Sequence, residues 1–99
     1  MSYAITLRFD GVTEDQYWAV NEKLGIDADG NGPIPAGLIA HVGGPVEGGG
    51  WVVSEIWDDK ATQEAWMAGT LGAALGDVGV PPPVQVIETD AVNVMLPGQ

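Results

Sequence analysis

Trp51-Val52-Val53-Ser54-Glu55-Ile56-Trp57-Asp58-Asp59 is the stretch whose reading decides the fold. Trp51 to Trp57 is rich in β-branched and aromatic residues, the composition of a strand. The two acids that follow offer a side-chain cap and negative charge where a helix begins. One charge, Glu55, stands two residues from Trp57 and so shares its face.

Upstream, Leu38 to Val42 reads as a short strand, and the glycine-rich run Gly43 to Gly50 joins it to Trp51 as a hairpin connection. That run is not a phosphate loop, because it lacks a Lys-Ser/Thr ending and links strand to strand. Downstream, Asp58 or Asp59 caps a helix over about 60–72, with Ala65, Trp66, Leu71 and Leu75 turned inward. Val80-Pro81-Pro82-Pro83 ends it, and Val84 to Thr89 reads as the last strand. At the other end, residues 3–9 alternate: Tyr3, Ile5, Leu7 and Phe9 form one face, and Ala4, Thr6 and Arg8 the other. Thr13 with Gln16 forms a capping box that opens a helix over 14–24, its buried stripe Tyr17, Val20 and Leu24, its stop Gly25.

Residues 25–37 are a loop rich in Gly, Pro and Asx. Within it, Asp27-Ala28-Asp29-Gly30-Asn31-Gly32 imitates the first half of an EF-hand calcium loop. The second half fails, since the twelfth position is Leu38 and not the bidentate Glu, so an Asx-rich turn is the expectation and calcium the minor alternative.

The order β-α-β-β-α-β is the split βαβ arrangement of a ferredoxin-like α+β domain, one domain over 1–99 with a four-stranded antiparallel sheet. Both helices belong on one face. The other face is expected to carry Ala4, Thr6 and Arg8 with Glu55 and Trp57 or their neighbours. A face so well supplied with apolar groups is rarely left to water, and a second copy packed on it would close a barrel around a cavity. The tail 90–99, with Val92, Val94, Met95 and Leu96, should dock on the body or on that partner.

Composition narrows the functions. Charged residues make up 17% of the chain and hydrophobic ones 45%, which favours partial cover by another subunit. The net charge is −11 and the only basic residues are Arg8, Lys23 and Lys60. No basic patch can be assembled from them for nucleic acid or an anionic membrane. The absence of cysteine removes disulfides, thiolate metal sites and thiol nucleophiles. No apolar run approaches a membrane span and no signal-peptide pattern opens the chain, so a cytoplasmic homodimer is expected.

The junction Glu55-Ile56-Trp57-Asp58-Asp59-Lys60 resembles the E-x-W-E-S/D-R junction of the dimeric α/β-barrel superfamily, which includes antibiotic-biosynthesis-monooxygenase-like proteins. The resemblance extends through the β-α-β-β-α-β order to nearly the whole chain. It implies a cofactor-independent enzyme of monooxygenase, cyclase or isomerase type, acting on a hydrophobic, aromatic or polyketide-like molecule. It also places Glu55 and Trp57 at the wall of the inter-sheet pocket. The haem-degrading branch uses a histidine on the second helix, and residues 60–75 contain none.

His41, the only histidine, is the candidate general base, since histidine titrates near neutrality and Glu55 could orient it. It could also be a hydrogen-bonded strand residue without chemistry. Arg8 either pairs with Glu55 across the sheet or holds an anionic oxygen of the ligand. Trp57, with Thr6, would contact the ligand, an indole being suited to an aromatic ring. The candidate site is therefore His41, Arg8 and Glu55 for catalysis, Trp57 and Thr6 for substrate, with no metal. A non-catalytic ligand-binding or accessory dimer is the alternative.

Overall fold

The alternation of residues 3–9 becomes β1 (Tyr3–Phe9), whose odd residues are buried. The computed structural model describes residues 2–27, 29 and 31–97. After β1, Thr13 caps α1 (Glu14–Leu24): its hydroxyl accepts from the Gln16 amide at 3.2 Å, and the Gln16 side chain accepts from the Thr13 amide at 3.0 Å. Gly25 closes the helix in the left-handed region.

β2 spans Leu38–Pro45, longer than the sequence pattern implies, because Gly43, Gly44 and Pro45 still pair with Val53, Val52 and Trp51. Gly43 lies beneath Tyr17, and a Cβ there would meet the phenol oxygen at 3.0 Å. This glycine marks a close approach and not a turn. The reversal itself is held by Val46 N–H to Gly50 O (3.1 Å) and Gly49 N–H to Val46 O (3.0 Å). Gly50 takes φ +92° with its Cβ position 2.4 Å from Phe9 O, a place that only glycine fits. β3 (Trp51–Trp57) follows.

Asp59 is the residue that caps α2 (Lys60–Trp66), accepting from Thr62 N–H at 2.8 Å. A π-helical turn (Met67–Leu71) and α3 (Gly72–Val78) carry the rod past the expected end, to a left-handed Gly79. The inward stripe also differs from expectation. Ala65 faces solvent, whereas Gln63 and Ala74 are buried. Ala65 is about 200° from Gln63 around an α-helix, so the two cannot share a face. The wide turn then rotates Leu71 and Leu75 back over the sheet. β4 (Gln85–Asp90) runs one residue later than expected, although Val84 N–H already bonds Arg8 O at 2.8 Å.

The sheet order is β2-β3-β1-β4, every pair antiparallel, with the helices on one side: an α+β ferredoxin-like fold. Among the described residues no helix is long and apolar enough to cross a membrane. Ala91 N–H continues the edge by bonding Ser2 O at 2.8 Å. Beyond it Val92 is 95% exposed and Met95 also faces solvent, so this part of the tail does not dock on its own body. Residues 98 and 99 lie outside the described residues.

Register corrects one expectation. Tyr3, Ile5, Leu7 and Phe9 stand opposite Trp57, Glu55, Val53 and Trp51. Opposed residues of an antiparallel pair point the same way, so all eight face the helices. Glu55 and Trp57 therefore do not share the open face with Thr6 and Arg8. That face instead carries Val52, Ser54 and Ile56 beside Ala4, Thr6 and Arg8, with Val42 and Ile87 at 65% and 52% exposure. A strand has only two parities, and β3 takes the one that buries both its tryptophans.

Candidate functional site

Glu55 enters the site by strand parity: it sits under the helices, 4% exposed. A carboxylate so placed needs partners for both oxygens. Oε1 accepts from the Trp57 indole N–H at 3.0 Å, and Oε2 lies 2.8 Å from His41 Nδ1.

His41 reaches Glu55 because of an irregularity in β2. Strict alternation from the inward Leu38 would send residue 41 to the open face. A register shift between Leu38 and Ala40 changes the phase, so that His41 stands opposite Glu55 and points inward with it. Tyr17 arrives from α1, and its hydroxyl lies 2.8 Å from His41 Nε2. Its ring stacks near-parallel to the imidazole and packs 4.9 Å from the Trp51 ring.

Hydrogen-bond capacity assigns the protons. An ionised Glu55 only accepts, so Nδ1 carries the hydrogen and donates it. In the neutral imidazole Nε2 then holds its lone pair toward the helices and accepts from the Tyr17 hydroxyl. The result is a relay, Tyr17 O–H to His41 to Glu55, with the Trp57 N–H fixing the carboxylate from below.

Two spaces that share lining residues border the relay under the helices, and a third, about 220 Å³, is bordered by His41 and Glu55 together with Thr6. The inner one is a cavity of about 70 Å³ reaching Leu7, Trp51, Met67 and Leu71. The outer one, about 250 Å³, opens toward Trp18, Ile34 and Leu38. Tyr17, His41, Glu55 and Trp66 border both. Among the described residues no lysine or arginine lines either space.

The sequence-derived residues thus separate. His41 and Glu55 are brought together. Arg8 is on the opposite side of the sheet, bonded to Asp10 Oδ1 at 3.0 Å and Gln85 Oε1 at 3.2 Å, so the expected Arg8–Glu55 pair does not form. Thr6 is also on that side, its hydroxyl 3.0 Å from that of Ser54. Trp57 is fully buried, packed on Trp66 at 5.5 Å between centroids, and it holds Glu55 instead of facing a cavity. The helical stripe predicts Tyr17 only as core, and the structure adds it to the site. Its hydroxyl was the available signal, because a half-buried phenol needs a partner.

In the 25–37 loop, Asp27 Oδ1 accepts the amides of Asp29 and Asn31, each at 2.9 Å, forming an Asx turn. Those bonds, the Asn31 amide foremost, hold the Asp27 carboxyl below the usual carboxylate range. Ala28 and Gly30 of the EF-hand-like stretch lie outside the described residues. Among the described residues no three His, Cys, Asp or Glu side chains converge on a metal position.

No protein-family model matches the chain, and no curated protein matches it by sequence. Solved structures do resemble it. A provisionally named antibiotic biosynthesis monooxygenase from Chloroflexus aurantiacus superposes with a TM-score of 0.66 at 13% identity, covering 96% of this chain and 97% of its own. A protein of unknown function from Nitrosomonas europaea gives 0.69 at 18% identity, covering 99% and 96%. A dimeric ferredoxin-like protein of unknown function from Thermobifida fusca gives 0.51 at 22% identity, covering 89% and 86%. The fold expected from the Glu55 to Lys60 junction, that of antibiotic-biosynthesis-monooxygenase-like proteins, is the fold of this chain.

Proposed function

We propose that the chain is a small-molecule enzyme of the monooxygenase, cyclase or isomerase kind, in which His41 withdraws a proton from a hydrophobic, ring-bearing substrate held between helices and sheet. The observation that carries this reading is the Tyr17–His41–Glu55 relay bordering an apolar cavity. Glu55 fixes the imidazole through Nδ1 so that Nε2 is turned to the substrate, and Tyr17 leaves Nε2 when a substrate arrives. Arg8 is given no part in it, being across the sheet and bonded to Asp10 and Gln85. The pocket proposed is one within each chain and not between two sheets.

The open face supports a homodimer: Val42 and Ile87 are exposed there, and one structural neighbour is a dimer. A location in the cytoplasm is proposed with it.

A second reading, a ligand-binding protein without turnover, draws on one observation. Both nitrogens of His41 are already occupied, at 2.8 Å each. Proton exchange separates the two. A carbonyl ligand with acidic α-hydrogens, mixed with the protein in D₂O, should lose those hydrogens faster than in buffer, and His41→Ala should abolish the acceleration. Equal exchange with wild type and His41→Ala protein would remove His41 as the base.

A further inference from the structure

We infer that the indole N–H of Trp51 is the donor that receives an oxygen of the ligand, and hence that the inner cavity takes a carbonyl compound or its enol. This deepens the function proposed above and rests on it. Trp51 is 5% exposed, and its Nε1 is, among the described residues, the one buried side-chain nitrogen or oxygen without a hydrogen-bond partner. A buried N–H without an acceptor is a standing cost. The titratable neighbours are engaged: Glu55 through both oxygens and His41 through both nitrogens.

Trp51 lines the inner cavity together with Tyr17 and His41, and because its nitrogen is closed to water in the free protein, the ligand reaches it as Tyr17 moves from its place against the indole. The cavity wall holds no cation, so negative charge appearing on a ligand must be met by hydrogen bonds. When His41 acts, a C–H bond beside the ligand carbonyl breaks and the N–H bond on Nε2 forms. The electron pair passes to the carbonyl oxygen as an enolate, and no oxidant or reductant enters. The Trp51 N–H stabilises that oxygen, and it does so more strongly for the enolate than for the neutral carbonyl. The freed Tyr17 hydroxyl is a second donor on the same side.

Acetophenone and ethylbenzene serve as paired probes, one with the acceptor oxygen and one without. In ¹H–¹⁵N spectra the Trp51 indole signal is assigned by its loss in Trp51→Phe. Acetophenone should move that signal downfield, and ethylbenzene should not. Trp51→Phe should bind acetophenone about tenfold more weakly and ethylbenzene as well as the wild type does. Trp51→Phe also removes part of a buried ring, so its fold is checked from the dispersion of its ¹H–¹⁵N spectrum before binding is compared. If acetophenone perturbs Tyr17 and His41 while the Trp51 indole is unmoved, or if Trp51→Phe weakens both probes alike, the donor assignment falls and the site survives. If acetophenone perturbs none of the three, the ligand site itself falls, and the donor with it.

Discussion

Glu55→Gln tests the relay without requiring a substrate. The amide keeps the shape of the carboxyl and can still accept from Trp57 N–H through its oxygen. Its NH₂ group then faces His41 Nδ1 at the 2.8 Å position where the wild-type oxygen accepts. Two outcomes compete. If the amide turned over, two N–H donors would meet at Trp57 inside a site only 4% exposed, leaving a buried donor unpaired at roughly 1–3 kcal/mol. If instead His41 changes tautomer, Nδ1 accepts from the amide and Nε2 carries the hydrogen. The loss is then the difference between a charge-assisted and a neutral hydrogen bond, about 1 kcal/mol. The second route is cheaper and should win. Thermal unfolding should fall by roughly 4–8 °C, the effect of about 1 kcal/mol on a domain of this size. ¹⁵N shifts of the imidazole should show the hydrogen moved from Nδ1 to Nε2. With the lone pair now on Nδ1 and the hydrogen on Nε2, Nε2 can no longer take a proton, and base-dependent turnover should fall about 10²–10⁴-fold. An unchanged tautomer in Glu55→Gln would refute the proton assignment, and with it the role given to Glu55.

Thr13→Ala removes one arm of the capping box and should cost about 1 kcal/mol by urea unfolding. Tyr3 and Glu88 make opposite demands on pH: burial and its 2.7 Å bond to Glu88 push the Tyr3 phenol well above the tyrosine range, while that bond and Lys60 hold the Glu88 carboxyl low. The Tyr3 contribution is full below the ordinary tyrosine pKa and is lost as pH rises through the raised value. The Glu88 contribution is present above the ordinary carboxylate pKa and is lost as pH falls through the lowered one. Absorbance titration near 295 nm should therefore show a late-ionising phenol that vanishes in Tyr3→Phe, and Glu88→Gln should lower the stability plateau and flatten its fall at the acid end. Val42→Asp, placed mid-face on the open side, should halve the mass seen by light scattering, and a wild type that is already monomeric would refute the dimer.

The fold was legible because its signals are local. Residues 3–9 and 51–57 alternate with period two, Thr13 and Gln16 stand at capping-box spacing, and Gly25 and Pro81 punctuate where a helix must stop. What was not legible depends on counting through irregularities. A π turn lengthens the second helical rod and re-aims Leu71 and Leu75, and no residue type announces such a turn. Gly43 and Gly44 looked like connection, yet they are strand. Gly43 is there to admit Tyr17, a constraint between elements 26 residues apart that no local pattern carries.

The site shows the same division at higher stakes. His41 and Glu55 could be chosen from the sequence because a lone histidine and a strand carboxylate are rare in a chain with so few charges. Their face could not, since alternation says which residues agree with one another and not which side is covered. Charge itself pointed the wrong way: a glutamate on a strand invites assignment to the open face. The structure resolves this through pairing. Trp57 needs burial, its N–H needs an acceptor, and the nearest residue of the same parity is Glu55. The buried carboxylate in turn needs a second donor, which the irregularity in β2 supplies by swinging His41 inward. Each step satisfies a group that the previous one leaves unpaired, until the chain ends at the hydroxyl of Tyr17. A network completed only by side chains from three elements has no sequence motif, and the cavity it borders has none either.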